Sequence, residues 1–297
     1  MFDLRNSSLG KRTILAQKRD TSLLFRISRA ENRRKIGIDD DDLSFEGSDV
    51  WNCYEVSFLT DNGLPVQRIL KIVVPAQSKF IVESKSLKLY LFSYNFERQG
   101  TTVADAEQKT ETMIKCDLEN LLETPIRLKL FDCMAKPFPA FENPFYKNLL
   151  DFINLDEVNI RQFTHFKEAP ELLHGEKTNE TCEIAFRTDL LRSNCPVTNQ
   201  PDWGELFVRI RTDFAIDFAA IAEYVVSLRC ENHFHEEVTE LIFQRLYDVF
   251  CPEKLMVAAA YTRRGGIDIN PIRATHRDWA EQIFLSENNL IEKTWRQ

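Results

Sequence analysis

The sequence predicts an α+β protein made of two copies of one antiparallel ββααββ unit. Three observations carry that expectation. Strand-like runs come in pairs around turn signals, helical runs follow them two at a time, and the same order recurs in both halves of the 297-residue chain. A chain of this length has room for one large or two medium domains. The side chains of the two halves match weakly, so an unrelated pair of α+β domains fits the order as well.

Residues 1–47 form an extension. Its basic half, with Arg26, Arg29, Arg33, Arg34 and Lys35, meets the acidic run Asp39-Asp40-Asp41-Asp42. Charge runs are usually solvated, so this extension is expected to wrap a neighbouring surface without a core of its own. The first unit spans residues 48–133. Residues 50–59 and 66–74 are rich in Val, Ile, Leu and aromatic side chains and flank Asp61-Asn62-Gly63, which predicts a β-hairpin. A helix follows over 84–92 with Ser84 as its N-cap, then a longer helix over 102–122 and a strand over 126–131. Residues 134–179 contain Pro137, Pro139 and Pro144 and are expected to be a connector with short pieces.

The second unit, residues 180–297, repeats the order. A strand over 182–190 leads to a loop around Cys195, and a second strand covers 205–211. A helix is predicted over 218–228. The next covers 236–250, where Val238, Leu241, Ile242, Leu246 and Val249 keep helical spacing. Strands over 255–261 and 267–272 flank the turn at Gly265-Gly266.

Composition narrows the function. A net charge of −8 argues against a general nucleic-acid binder, although local Arg and Lys clusters can still hold small anions. There is no run of about 18 apolar residues to span a membrane. Residues 1–36 lack the apolar stretch of a secretory signal. Seven cysteines at wide spacings, with no C-x-x-C pair, suggest a reduced, cytoplasmic chain. No G-x-G-x-x-G or Walker A pattern occurs, so a dinucleotide would have to be held outside a Rossmann fold.

Four segments carry chemistry. In Ser193-Asn194-Cys195-Pro196-Val197-Thr198-Asn199-Gln200-Pro201-Asp202-Trp203-Gly204, a cysteine sits among polar turn formers with a carboxylate seven positions later. That pattern suits a nucleophilic thiolate with a proton donor, and equally a surface loop with an incidental thiol. Glu83-Ser84-Lys85-Ser86-Leu87-Lys88-Leu89-Tyr90 opens a helix, whose N-terminus favours anions. Glu83 can also accept hydrogen bonds from an amidine-like edge, as in a guanine; an ordinary capped helix start is the plainer reading. His233-Phe234-His235-Glu236-Glu237 joins two helices and sets imidazoles beside carboxylates, useful for proton transfer or for nothing beyond capping. With Cys230 it fits no strong zinc pattern. Tyr261-Thr262-Arg263-Arg264-Gly265-Gly266 makes a cationic turn that suits a phosphate or a plain hairpin.

Together these segments resemble the NADPH-dependent 7-cyano-7-deazaguanine reductases in their long, two-module form, with similarity from about residue 43 to 271. The resemblance implies tandem tunnelling-fold modules whose antiparallel sheets join in a barrel-like assembly, a homodimer, and no metal. It implies reduction of the nitrile of 7-cyano-7-deazaguanine to an aminomethyl group by NADPH, in tRNA queuosine biosynthesis, without direct nucleic-acid contact. It makes Cys195 the nucleophile that forms a thioimide and Asp202 the proton donor. Glu83 and Glu236 would hold the deazaguanine, helped by Val82, Ser84, Phe234 and His235. Ser84, Lys85, Arg264 and Gly265 would hold NADPH. Two alternatives remain: a zinc-dependent purine cyclohydrolase of the same fold, with Cys195 as a ligand, and a non-catalytic purine-binding module.

Overall fold

The asparagine–glycine turn does what its chemistry predicts. In a computed structural model of the chain, strands β2 (Glu46–Leu59) and β3 (Pro65–Pro75) pair antiparallel across it, with Gly63 at φ +88°. The structure describes residues 16, 18–139, 145–154, 162–280 and 282–297. The expected extension and connector therefore lie partly outside the described residues.

The element order follows the expectation closely. Helices α2 (Ser84–Phe92) and α3 (Val103–Leu122) precede β5 (Arg127–Asp132). In the second half β7 (Gly175–Thr188), β8 (Arg192–Asn194) and β9 (Pro201–Ile216) precede α4 (Phe218–Ser227) and α5 (His235–Phe250), then β10 (Lys254–Tyr261) and β11 (Ile267–Ala274). β7 begins inside the expected connector, whose other described pieces are the two-residue strand β6 (Lys147–Asn148) and short 3-10 turns at Leu149–Phe152 and Pro170–Leu172.

Among the described residues the main sheet has nine strands in the order β5-β3-β2-β11-β10-β9-β7-β6, with β8 paired to the start of β9. All pairs are antiparallel except β6–β7. The two halves meet where β11 pairs with β2, Ile269 opposite Trp51. The sheet stays open, with β5 at one end and β6 at the other, so no barrel closes within the chain among the described residues.

Successive strand residues face opposite sides, and burial follows that alternation. Trp51 and Ile72 pack under α2 and α3 with Leu87, Ile114 and Leu118. Val50 and Val73 face the other way, where Trp279, Phe284 and Ile291 cover the sheet. Lys71 fastens that cover: its buried Nζ donates to the carbonyls of Phe284 (2.7 Å), Ser286 (2.7 Å) and Asn289 (2.8 Å). α4 and α5 pack on β9 and β10 with Ile221, Val225, Leu241 and Ile242 inward.

The N-terminal segment departs from expectation. Its charge runs were expected to be solvated while it wrapped a neighbouring surface, but β1 (Arg26–Ser28) pairs with β4 (Phe80–Val82), and α1 (Arg29–Lys35) buries Arg29 and Arg33. Ile36, Ile38 and Phe45 enter the core of the second half. Of the acidic run, Asp40 reaches Arg33 at 2.5 Å, while Asp39, Asp41 and Asp42 stay exposed.

The reason is a buried ion cluster. Glu240 of α5 takes Arg33 (Nη2–Oε1 2.7 Å, Nε–Oε2 2.9 Å) and Arg273 of β11 (Nη2–Oε1 2.8 Å). Asp49 of β2 takes Arg29 and Arg273, the latter at 2.8 Å. Guanidinium forks match carboxylates bidentately, which suits them to such sites. Glu240→Ala should therefore cost about 3–5 kcal/mol in chemical denaturation, because it strands buried guanidiniums. A loss no greater than that of a surface substitution would show that the cluster does not anchor α1.

Candidate active site

Cys195 sits in a six-residue hairpin loop between β8 and β9. Its N–H donates to the Gln200 carbonyl (2.9 Å), and its carbonyl accepts from Asn199 N–H (3.0 Å), with Asn199 at φ +55°. The ladder continues with Asn194 opposite Pro201 and Ser193 opposite Asp202. Cys195 is thus two rungs from Asp202 and on the same face of the ladder, a diagonal pair. The thiol is half-buried and the carboxylate buried.

The start of α5 is tied to this hairpin. Asn194 N–H donates to the Glu231 carbonyl (2.8 Å), and His233 N–H donates to the Asn194 carbonyl (3.1 Å). That brings Phe234, His235 and Glu236 beside Cys195. The β10–β11 turn arrives from the third side, where Thr262 N–H donates to the Trp203 carbonyl (2.9 Å) and Arg264 N–H to the Ile267 carbonyl (2.8 Å). Gly265 has φ +57°, and a Cβ there would lie 2.9 Å from Lys88 Nζ. The start of α2 closes the fourth side.

One cavity of about 340 Å³ results. It is lined by every residue singled out from the sequence: Cys195, Asp202, Val82, Glu83, Ser84, Lys85, Phe234, His235, Glu236, Arg264 and Gly265. Val82 through Lys85 come from the first half, the rest from the second, and the floor (Trp51, Ile267, Ile269) lies on the β2–β11 seam.

The side chains hold one another. Asp202 Oδ1 takes Arg264 Nε at 2.9 Å and His235 Nε2 at 3.3 Å. Both contacts fall on Oδ1. His235 stacks flat on Tyr261, 3.8 Å between ring centroids, and its Nδ1 is buried without a partner. Glu83, not Ser84, is the N-cap of α2, accepting from the N–H groups of Lys85 (2.9 Å) and Ser86 (2.8 Å). A carboxylate with two oxygens fills the anion position that Ser84 was expected to cap. Burial pushes the Glu83 carboxyl up, against the pull of those amides.

Glu236 differs from Glu83. It is 3% exposed and its Oε1 has no hydrogen-bond partner. Burial, then the nearby Asp49, push its carboxyl up to about 8, with Arg29 and Arg273 opposing. Glu236 lines the cavity, and a buried acceptor left without a partner there calls for a donor.

Three positively charged side chains, Lys85, Lys88 and Arg264, line the cavity with the Ser84 hydroxyl and the space left by Gly265. This donor set fits the phosphates of a dinucleotide. Among the described residues no group of three or more His, Cys, Asp or Glu is arranged to hold a metal, and no helix is long and apolar enough to cross a membrane.

Sequence reasoning left out Lys88, His233 and Trp51 as lining residues. Lys88 lies three residues beyond Lys85, one turn along the same helix face, a spacing that could have found it. Trp51 could have been found from strand alternation. His233 lies between Glu237 (3.2 Å) and Glu231 (3.4 Å); burial lowers its pKa, but the carboxylates outweigh that and raise it.

Two family models match the chain. One, described as nitrile reductase, 7-cyano-7-deazaguanine-reductase N-term, matches residues 15–130, and the other, QueF-like protein, matches residues 201–280. The NADPH-dependent 7-cyano-7-deazaguanine reductases of Burkholderia pseudomallei (strain 1710b) and Burkholderia mallei (strain SAVP1) are each 38% identical over 271 residues, covering 91% of this chain and 94% of theirs. The apo crystal structure of an archaeosine synthase QueF-Like covers 33% of this chain and 95% of its own, with TM-score 0.29 and 18% identity, too slight a likeness to carry an argument.

The buried carboxyl gives a test of this geometry. A carboxyl raised in the folded state loses stability as pH climbs from its unfolded value, about 4.3, toward its folded one. Glu236→Gln should therefore raise the melting temperature, and by more at pH 8 than at pH 5. An equal change at both would mean that Glu236 is not held neutral.

Proposed function

Because this chain belongs to the NADPH-dependent 7-cyano-7-deazaguanine reductase family, we propose that it reduces the nitrile of 7-cyano-7-deazaguanine to the aminomethyl group, in tRNA queuosine biosynthesis. One observation carries the reading. A cysteine, an aspartate and an unpartnered buried glutamate share a cavity with three cations, although they come from distant parts of the chain.

Chemistry at the cysteine follows from that arrangement. A nitrile is a poor hydride acceptor, and thiol addition makes it a better one. Asp202, as a carboxylate, takes the Cys195 proton. The sulfur bonds to the nitrile carbon, the C≡N π pair moves to nitrogen, and Asp202 returns the proton there. The product is a neutral thioimide. NADPH, when bound, supplies the hydride for each of two reductions. Asp202, reprotonated from solvent, delivers a proton to nitrogen with the first. The C–S bond then breaks with its electron pair on sulfur as the nitrogen lone pair forms C=N. A proton passes from nitrogen to sulfur to restore the thiol, and the imine takes the second hydride with a further solvent proton. His235 and Arg264 hold Asp202 in place through its Oδ1.

Glu236 and Glu83 hold the donor edge of the heterocycle, helped by Val82, Ser84, Phe234 and His235. Ser84, Lys85, Arg264 and Gly265 hold the cofactor. Arginine beside a 2′-phosphate makes charge-assisted bonds that favour NADPH over NADH. We further infer two tunnelling-fold modules, residues 48–133 and 180–297, whose open sheet pairs with a second copy in a homodimeric barrel. The open ends at β5 and β6 support this, since unpaired edges seek partners.

Intact mass spectrometry without NADPH should show one 7-cyano-7-deazaguanine added per chain, and none for Cys195→Ala. An adduct that persists in the alanine variant would remove Cys195 from the mechanism. Asp202→Asn should keep the shape and lower turnover by about 10²-fold, as lost acid–base catalysis does. Near-normal turnover would assign the proton to another group.

A further inference from the structure

The buried ion cluster lies directly behind Glu236. Glu240 is one turn further along α5, and Asp49, Arg29 and Arg273 all act on Glu236 electrostatically. Arg29 is held by Asp49 and by Ser78, whose Oγ accepts from Arg29 Nε at 3.0 Å, and its Nη1 lies 3.9 Å from Glu240 Oε1. We propose that Arg29 and Asp49 are positioning residues for substrate recognition, setting the charge of Glu236 from behind the cavity so that the deazapurine binds with release of one proton. This rests on the function proposed above.

Charge balance is the first support. Three guanidiniums, those of Arg29, Arg33 and Arg273, face the carboxylates of Asp49, Glu240 and Asp40. The three pairs are neutral before Glu236 is counted, Asp40 being partly exposed, and Glu236, the third buried carboxylate, makes no ion pair of its own. The free site accordingly favours the neutral carboxyl. The second support is Oε1, buried without a partner. A guanine-like edge offers adjacent N–H donors. A neutral carboxyl also carries a donor and mismatches that edge; a carboxylate presents two acceptors and fits it. Glu83 differs in that each of its oxygens already accepts from one backbone amide, so it meets the heterocycle only with its remaining lone pairs.

Arg29 of α1, Asp49 of β2, Arg273 of β11 and Tyr261 of β10 act on Glu236 from the neighbouring elements, and Arg33 and Glu240 pair within the cluster behind them. Glu83, Cys195, Asp202, His233 and His235 lie around the same cavity. Arg29 favours the Glu236 carboxylate and Asp49 opposes it, so removing them should act in opposite directions.

The experiment is calorimetry of 7-cyano-7-deazaguanine binding to the Cys195→Ala chain, where no covalent bond forms. Titrations run from pH 6 to 9 in buffers of different ionisation enthalpy. Near pH 6.5 close to one proton should be released per ligand, and affinity should rise about tenfold per pH unit before levelling. Arg29→Gln should move the levelling point up and weaken binding at pH 7 by about tenfold, Asp49→Asn should move it down, and Arg29→Lys should stay near the parent. General loosening would shift both neutral variants the same way, and that result overturns the proposal. So does pH-independent binding without proton release in the parent, which needs neither variant to fold. If the parent chain fails to bind the deazapurine at all, the functional reading falls and this inference with it.

Discussion

The contact on which the rest of this molecule depends is the meeting of Arg273, Glu240 and Asp49 behind the cavity. It joins β11, α5 and β2, which are the three elements that frame the floor and back of the site. β11 and β2 are also the strands through which the two halves form one sheet. Burying so many charges is costly unless each is paired, and pairing them forces the strands and helix into one relative position. Arg29 and Arg33 complete that pairing, so the N-terminal helix belongs to the core although it has no core of its own.

Given that frame, the site is assembled from four tight local structures. Each is a hairpin loop or a helix start, and each is held by backbone hydrogen bonds independent of any ligand. The Cys195 loop, the α5 start and the β10–β11 turn are also bonded to one another. A cavity built this way is preformed, and its groups need little rearrangement to act. The two glutamates illustrate how context divides identical side chains: one caps a helix with both oxygens, the other keeps an oxygen free.

Much of this was legible in the sequence. Turn chemistry at Asn62-Gly63 and Gly265-Gly266, and apolar spacing in α5, fixed element types and order. All the residues singled out for chemistry line one cavity. The charge cluster was not legible. Arg29 and Arg33 sit in a basic run that reads as solvated, and their partners are 20 and 207 residues away along the chain. Only the fold tells a buried arginine from an exposed one. Glu240 did leave a trace, lying among Val238, Leu241 and Ile242 on the inward side of α5. Ser84 was misread as the cap because the preceding residue, Glu83, can also serve, and local propensity ranks serine with the acids there.

The proposed reaction carries a nitrile through two reductions at Cys195. Reduction of a nitrile to an amine takes four electrons, and each hydride carries two. The direct measurement is NADPH consumption, followed by its nicotinamide absorbance, against a limiting amount of 7-cyano-7-deazaguanine. Two NADPH should be consumed per nitrile, with aminomethyl product formed in step, and none by the Cys195→Ala chain. No consumption by the native chain, or undiminished consumption by the alanine variant, would contradict it.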